Sequence, residues 1–201
     1  MIGELTPLQQ QRQGKILQAA ARYFARVHYH KADMDSIAKD AGVGKGTLYR
    51  YFKNKDDLYL KTIQYLSLQA FEHLHQKAAK AASFREYLEI IIDTAIDYFV
   101  ERPETFSMVL MSNLARIPSI LQVMEESTKT YLESFTKRME QAKVNGEVRQ
   151  LNPQHVYSTL FATIINAVHS ILLRKSGSPQ EMKDTIKTIL LEGLINNREQ
   201  Q

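Results

Sequence analysis

One stretch decides the predicted fold of this chain, Gly42-Val43-Gly44-Lys45-Gly46-Thr47-Leu48-Tyr49-Arg50-Tyr51-Phe52. Three of the eight glycines fall within five residues here, and a short basic and aromatic segment follows at once. The preceding residues 34–41 have the pattern of a short helix, with Asp33 as its N-cap and Gly42 at the left-handed position that ends it. A helix, a glycine turn and a second short helix with small, basic and tyrosine side chains predict a helix-turn-helix motif that binds DNA.

The second helix of this motif is predicted at residues 45–51, with a length of about 10 Å, which suits insertion into the major groove of DNA. Leu48 and Phe52 lie four residues apart and are expected to face inward onto the first helix. The residues expected to contact DNA are Lys45, Gly46, Thr47, Tyr49, Arg50, Tyr51 and Lys55. Two alternatives stay open: Tyr51 packs half-buried against the motif, and Arg50 is a solvated charge.

Glycine-rich runs also bind nucleotides, but this run fits neither common phosphate-binding motif. A P-loop requires Gly-x-x-x-x-Gly-Lys followed by Ser or Thr. Aligning that pattern on Gly44-Lys45 places Lys39 at the first glycine and Gly46 at the hydroxyl position. A dinucleotide fingerprint places Thr47 at its third glycine and requires a strand where this chain predicts a helix. The pattern therefore disfavours a nucleotide site.

The positive charge of the chain is concentrated around the glycine run. The whole sequence has 26 Lys and Arg against 22 Asp and Glu, a net charge of +4. Residues 1–58 contain 10 basic and 6 acidic residues, so residues 59–201 balance at 16 of each. An excess of positive charge confined to one end is typical of a protein that meets a polyanion at that end.

Composition predicts a soluble, cytoplasmic protein. The 201 residues are 44% hydrophobic and 24% charged and include no cysteine, so disulfides, thiolate zinc sites and a thiol nucleophile are excluded. Residues 1–7 lack the pattern of a secretion signal, and the apolar stretch at residues 161–173 is too short and too polar to span a bilayer. Neither a cofactor nor a membrane partner is expected.

Helical periodicity runs through the chain and predicts an all-α fold of about nine helices. Residues with side chains suited to an N-cap precede five of these helices: Asp33, Asn54, Ser83, Asn152 and Ser178. The last of the nine is predicted to begin with a capping box, Ser178-Pro179-Gln180-Glu181. Asn145-Gly146 is predicted to end the long helix that begins at Pro118.

The residues around the glycine run resemble the tetracycline-repressor (TetR) family of bacterial transcription regulators. The resemblance covers residues 12–60 and rests on Phe24-Ala25, Asp33-Met34-Asp35-Ser36-Ile37-Ala38-Lys39-Asp40-Ala41-Gly42-Val43, Lys45-Gly46-Thr47-Leu48-Tyr49-Arg50-Tyr51-Phe52 and Asn54-Lys55-Asp56-Asp57-Leu58. Two positions depart from the family pattern. Gly44 stands where the family often has Ser or Thr, which removes a side-chain cap, and His28 stands where the family often has glycine.

The resemblance implies a DNA-binding transcriptional regulator, and most simply a repressor that binds a palindromic operator as a homodimer and is released by a small lipophilic effector. It also implies a three-helix DNA-binding domain at residues 1–55 and a helical effector-binding and dimerisation domain at residues 56–201. A transcriptional activator or a ligand-independent DNA binder is the alternative. An α-helical enzyme is a remote one, because no Gly-x-Ser-x-Gly elbow, phosphate loop or metal spacing organises the polar residues.

Two sets of apolar residues are predicted to serve the carboxy-terminal domain. The effector pocket is predicted to be lined by Phe99, Phe106, Met108, Met111, Met124, Tyr131 and Phe135. The dimer interface is predicted to contain Phe161, Ile164, Ile165, Val168, Ile186 and Leu190. For both sets the alternative is burial in the core of a single chain. The pair His73 and His75 predicts no metal site, because helical residues two apart point in different directions.

Overall fold

Nine α-helices form the described part of the chain. The structure, a computed structural model, describes residues 6–27, 29–114 and 118–195, with the backbone alone at 109–114, 118–121, 123 and 124. The helices are α1 (Pro7–Val27), α2 (Met34–Asp40), α3 (Lys45–Tyr51), α4 (Lys55–Ala78), α5 (Phe84–Glu101), α6 (Pro103–Leu114), α7 (Pro118–Val144), α8 (Pro153–His169) and α9 (Pro179–Leu194). The predicted all-α class is confirmed. His28, at which an unusual turn is expected, lies outside the described residues.

Short polar side chains start the helices where the sequence predicts them. The Asp33 carboxylate accepts from the Ser36 backbone N–H at 2.8 Å, and Asn54 caps α4 by accepting from the Asp57 N–H at 2.9 Å. Ser178 and Glu181 form the full reciprocal capping box of α9. Each such cap satisfies a backbone donor that a helix start leaves unpaired. These local signals therefore fix the helix boundaries.

The N-terminus of α5 has the Ser83 cap that the sequence predicts and a second hydrogen bond one residue before it. The Ser83 hydroxyl accepts from the Glu86 N–H at 3.1 Å, as expected. The Glu86 carboxylate accepts from the Ala82 N–H at 2.6 Å. It therefore reaches one residue beyond the N-cap and secures the approach to the helix.

The first of two compact units contains α1 to α3, the beginning of α4, and residues 104–127 in their described part. Its core is apolar, and Leu48 and Phe52 are both fully buried in it, which confirms that they face inward. Ile37 of α2 is fully buried in the same cluster. The short α3 is therefore held by packing, since a helix of seven residues has little stability of its own.

The second unit contains residues 69–103 and the described part of 128–201. Helix α5 packs against both α8 and α9 there. Two ion pairs join α5 to α9, from Lys183 to Asp97 at 2.5 Å and from Lys187 to Asp93 at 2.6 Å. Both pairs are spaced by four residues on each helix, so they lie along one face of α5 and join it to α9. The predicted functional boundary between residues 55 and 56 stays a prediction.

Helix α8 is longer than the apolar stretch that the sequence pattern picks out. It continues through a π-helical segment, Ser170–Arg174, and the whole run Pro153–Arg174 is long and apolar enough by length and composition to cross a membrane. This corrects the expectation drawn from residues 161–173 alone. Only 28% of the apolar window in this run is buried inside the single chain, so much of its surface is free to pack elsewhere.

The turn between α2 and α3 requires glycine at position 42 but not at position 44. Gly42 has φ +66°, a left-handed conformation, whereas Gly44 has φ −69° and no atom near the position of an added Cβ. We expect Gly42→Ala to lower the free energy of unfolding by about 1–2 kcal/mol. The control Gly44→Ser should change it by about a few tenths of a kcal/mol. Urea unfolding followed by circular dichroism measures both, and equal losses in the two variants would contradict this account.

Candidate nucleic-acid interface

Helix α3 is positioned by a turn whose backbone groups are paired. The Gly42 N–H donates to the Lys39 carbonyl and the Val43 N–H to the Ala38 carbonyl, both at 3.0 Å. These two hydrogen bonds around a left-handed glycine close the end of α2. Gly44 then begins α3 without a side-chain cap, because it has no side chain. The exposed start of α3 therefore keeps backbone N–H groups for an anionic partner.

Most of the side chains predicted to contact DNA form the outer face of α3. Lys45, Gly46 and Arg50 are exposed, and Tyr49 is 45% exposed although it is a large aromatic residue. Thr47 is half-buried beside them. The structure therefore brings two cations, a hydroxyl, a phenol and one position without a side chain onto one small surface of α3. Cations bind phosphates or guanine edges, while hydroxyls and phenols serve either bases or phosphates.

The two cations of α3 are held differently. The Lys45 ammonium pairs with the Asp35 carboxylate at 2.8 Å, and this hydrogen bond raises the pKa of Lys45. Arg50 lies over the ring of Tyr51, with its guanidinium carbon 5.8 Å from the ring centre. Within the described residues Arg50 makes no ion pair. Arg50 is therefore available to a phosphate at once, whereas Lys45 must exchange Asp35 for the DNA.

Two of the predicted contact residues are engaged inside the first unit. The Lys55 ammonium donates to the Ala32 carbonyl at 3.1 Å and lies 4.6 Å from the centre of the Tyr29 ring. The Tyr29 hydroxyl in turn donates to Asp56, and burial together with this bond raises the pKa of Tyr29 to about 12. Tyr51 is half-buried against the core cluster, as its alternative interpretation states. These side chains hold the motif together, and DNA contact would be an additional role.

The pairing of Lys45 with Asp35 leads to a prediction about DNA affinity. Asp35→Asn removes a negative charge beside α3 and releases Lys45, so the affinity for random-sequence duplex DNA should rise about threefold to tenfold at low salt. Asp40→Asn is the matched control, because Asp40 pairs with Arg26 instead, at 3.0 Å. Fluorescence anisotropy at several salt concentrations measures both variants. An equal rise in the two would mean that net charge, not the release of Lys45, sets the affinity.

Five of the seven predicted pocket residues have described side chains, and these five are divided between the two units. Met108 is 2% exposed and belongs to the apolar core of the first unit, as the alternative interpretation of a core role states, and its assignment to an effector pocket stays a prediction. Phe106 is also buried in the first unit, and Phe99 is buried in the second. The side chains of Met111 and Met124 lie outside the described residues. Helical periodicity identifies a buried face but not its neighbours, so it does not distinguish a core residue from a pocket residue.

Tyr131 and Phe135 do come together, in an aromatic cluster inside the second unit. Its rings lie 4.6–6.5 Å from one another, for example 5.2 Å between Phe71 and Tyr131 and 5.3 Å between Phe135 and Tyr157. The aromatic cluster consists of Phe71, His75, Phe84, Tyr87, Tyr131, Phe135, Tyr157 and Phe161. The sequence offered one unused signal for it: Tyr157 and Phe161 lie four residues apart on one face of α8.

Several predicted interface residues are buried within one chain. Ile164, Val168 and Ile186 are 2%, 0% and 4% exposed, so they are core residues and cannot present a surface to a second copy. Phe161 is half-buried and stacks on Phe71 and Tyr157 of its own chain. Ile165 and Leu190 are also half-buried and stay predictions.

One surface of α8 and α9 is exposed to solvent, and the predicted dimer interface included only part of it. It forms an apolar groove of about 320 Å³. Ile189, at 67% exposed, and Leu151, at 43% exposed, stand at this groove. The apolar groove is lined by Leu88, Ile92, Leu151, Asn152, His155, Val156, Thr159, Leu160, Ile189, Leu190, Gly193 and Leu194.

Comparison with protein families gives one match that covers the helix-turn-helix. Residues 16–62 match the family described as bacterial regulatory proteins, tetR family. This segment runs from α1 into α4 and includes the whole turn and α3. The family match and the outer face of α3 therefore lie on the same residues.

Known proteins similar to this chain extend over most of its length. The HTH-type transcriptional regulator UidR of Escherichia coli K12 is 31% identical over 144 residues, which is 67% of each chain. The HTH-type transcriptional regulator RutR of the same strain is 23% identical over 191 residues, 89% of this chain and 88% of RutR. The crystal structure of FadR from Bacillus subtilis in complex with stearoyl-CoA has a TM-score of 0.77 at 23% identity, covering 89% of this chain and 97% of FadR.

Proposed function

Because this chain belongs to the tetR family of bacterial regulatory proteins, we propose that it is a repressor that binds a palindromic operator as a homodimer and leaves it when a small lipophilic effector binds. One observation carries the DNA-binding part of the proposal. Helix α3 is anchored by the fully buried Leu48 and Phe52 and turns Lys45, Tyr49 and Arg50 outward. A rigid base under exposed cations and hydroxyls is the geometry that a major-groove reader requires.

The proposed reading surface consists of the outer residues of α3. Lys45 and Arg50 would contact guanine edges or phosphates, and Thr47 and Tyr49 would add hydroxyl donors. Gly46 has no atom within 4 Å of the position of an added Cβ, so the space beside it is open. We assign that space to the DNA backbone or a base edge.

The proposed homodimer uses the apolar groove of α8 and α9, with a second copy of this chain as its occupant. A groove that leaves Ile189 67% exposed is unfavourable in water. Much of the adjoining α8 run is likewise uncovered within one chain. Two copies related by a two-fold axis would cover both helices at once, because each presents the same surface. Gly193 in this groove would allow a close approach of the partner helix.

The proposed effector is a long-chain acyl thioester of coenzyme A or a similar lipophilic molecule. Support comes from the FadR structure, which contains stearoyl-CoA. The aromatic cluster in the second unit supplies apolar ring faces, against which a hydrocarbon chain can pack.

Selection of bound sequences from random duplex DNA tests the proposal for DNA. We expect an inverted repeat whose half-sites are centred about one turn of the DNA helix apart, because a two-fold dimer presents two equal α3 helices. Enrichment of a single unrepeated site would contradict the dimeric arrangement. Failure to enrich any sequence would contradict specific DNA binding.

Release from the selected duplex tests the proposal for the effector. Stearoyl-CoA should lower the affinity for this duplex at least about tenfold, while free coenzyme A should leave it unchanged. Equal effects of the two would mean that the coenzyme moiety, not the acyl chain, is recognised. A rise in affinity would point to a co-repressor in place of an inducer.

A further inference from the structure

One buried hydroxyl group in the aromatic cluster has no hydrogen-bond partner among the described residues. The Tyr157 hydroxyl oxygen is buried, and no described residue donates to it or accepts from it. A buried polar group without a partner is unfavourable, because it gives up its hydrogen bonds to water and gains none in return. Such groups are rare in folded proteins and call for an explanation, such as a ligand.

Two polar groups near Tyr157 already have partners. Tyr131 donates its hydroxyl hydrogen to Glu72 at 3.3 Å. The Arg138 guanidinium donates to the carbonyls of Ala81 at 3.2 Å and Ala79 at 3.4 Å. Burial lowers the pKa of His75, which is therefore uncharged at neutral pH. Among the hydroxyl groups of the aromatic cluster, only that of Tyr157 is both fully buried and without a partner among the described residues.

The surroundings of Tyr157 determine the chemistry of a suitable ligand. Phe135 and Phe161 lie 5.3 Å from its ring, in an edge-on and a stacked arrangement respectively. Burial raises the pKa of Tyr157, so the hydroxyl keeps its hydrogen and donates. A carboxylate brought here would lose its water without gaining a free cation, since Arg138 is occupied by backbone carbonyls. An uncharged acceptor on an apolar body fits the site better.

We propose that the Tyr157 hydroxyl is the polar anchor of the effector site and donates a hydrogen bond to an uncharged carbonyl oxygen of an otherwise apolar ligand. This inference rests on the proposed effector-responsive function and adds the group that the ligand must carry. A thioester carbonyl meets the requirement, as does a ketone or an ester.

A surface cleft borders the aromatic cluster at Phe84, which is itself 2% exposed. An open cleft of about 430 Å³ is bounded by Phe84 and Arg138. The ring of Phe84 is in turn 5.6 Å from that of Phe135 inside the cluster. A ligand that enters from this cleft must displace the buried rings of Phe84 and Phe135 to reach Tyr157, and Lys137 at the cleft adds a cation for the polar end of an amphiphile.

A pair of probes that differ only in the carbonyl group tests the anchor. Stearoyl-CoA has the thioester carbonyl, and S-octadecyl-coenzyme A replaces it by a methylene. We expect the wild-type protein to bind the thioester about fivefold to tenfold more tightly, and Tyr157→Phe to bind the two probes equally. Calorimetric titration measures each affinity. A wild-type protein without preference, or a variant that keeps the preference, would overturn the proposal.

Tyr131→Phe is the matched control, because it removes a hydroxyl of the same cluster that already has a partner. It should retain the preference for the thioester. The ligand-free proteins give a second measurement, since Tyr157→Phe removes an unpaired hydroxyl and should leave the melting temperature unchanged or raised. A clear fall in the melting temperature would mean that the hydroxyl is already satisfied, which would also overturn the proposal.

A different pair of probes separates this inference from the proposed acyl-CoA class. If neither coenzyme A probe binds, the acyl-CoA class is wrong, and benzophenone and diphenylmethane then decide the role of Tyr157. These two molecules share their rings and differ in one carbonyl. A preference for benzophenone that disappears in Tyr157→Phe supports the anchor, and equal binding or no binding of both rejects it.

Discussion

Ile189→Arg is expected to convert the protein to monomers and to remove tight binding to a palindromic operator. Ile189 is 67% exposed in the single chain, so the change leaves the fold of each chain intact. In the proposed dimer the apolar groove would instead bury an arginine from each copy. An uncompensated buried charge is unfavourable by about 3–5 kcal/mol, and the two-fold dimer would bury two such charges, one from each copy. The affinity for a two-half-site operator should therefore fall by more than about 100-fold.

Sedimentation equilibrium measures the state of association, and circular dichroism checks that the helices are retained. Val144→Arg is the matched control, because Val144 is an apolar residue that is 82% exposed and lies outside the groove. It should remain dimeric and bind DNA as the wild-type protein does. Persistence of the dimer in Ile189→Arg would place the interface elsewhere.

Gly46→Ala is expected to make the free protein more stable and its DNA binding weaker. Glycine within a helix is unfavourable by about 0.5–1 kcal/mol relative to alanine, and nothing lies within 4 Å of the added methyl group. Unfolding should therefore require up to about 1 kcal/mol more free energy. If the DNA occupies the space beside Gly46, the same methyl group should lower operator affinity by about tenfold or more.

Urea unfolding measures the gain in stability, and fluorescence anisotropy with the selected duplex measures the loss of DNA affinity. Gly44→Ala provides the control, since Gly44 is equally exposed and open but stands at the start of α3. Its DNA affinity should change little. Unchanged operator affinity in Gly46→Ala would show that DNA does not approach this point of α3.

The features that the sequence predicts best are those decided by a few neighbouring residues. Gly42 at φ +66°, the Asp33 cap and the inward pair Leu48 and Phe52 each follow from a local rule of geometry or spacing. The helix-turn-helix is built almost wholly from such rules. For this reason its position in the chain and the direction of its outer face could be predicted from the residues alone.

The features that the sequence predicts poorly depend on which helix covers which face. Val168 and Ile189 both belong to apolar stripes, yet one is fully buried in its own chain and the other is 67% exposed. Periodicity cannot distinguish them, because both repeat at helical spacing. Met108 is a similar case, since a flexible apolar side chain fits a core and a pocket equally well.

Pairing between distant side chains is also invisible to spacing rules. The bond between Lys45 and Asp35 joins two helices across the turn, and the bond between Lys55 and Ala32 spans 23 residues. Both change how a cation predicted to contact DNA is held before DNA arrives. The unpaired hydroxyl of Tyr157 likewise appears only when the packing around it is known.

The two ion pairs between α5 and α9 limit how the second unit can change shape. If α9 slid along α5 by one helical turn, Lys183 would stand opposite Asp93 and Lys187 opposite Glu89, so both cations would again face carboxylates. Intermediate positions would align neither pair. Sliding is therefore opposed between these two registers, and α5 and α9 should move together for displacements smaller than a helical turn when an effector binds, so that a mechanical signal reaches the rest of the protein as rotation of this helix pair.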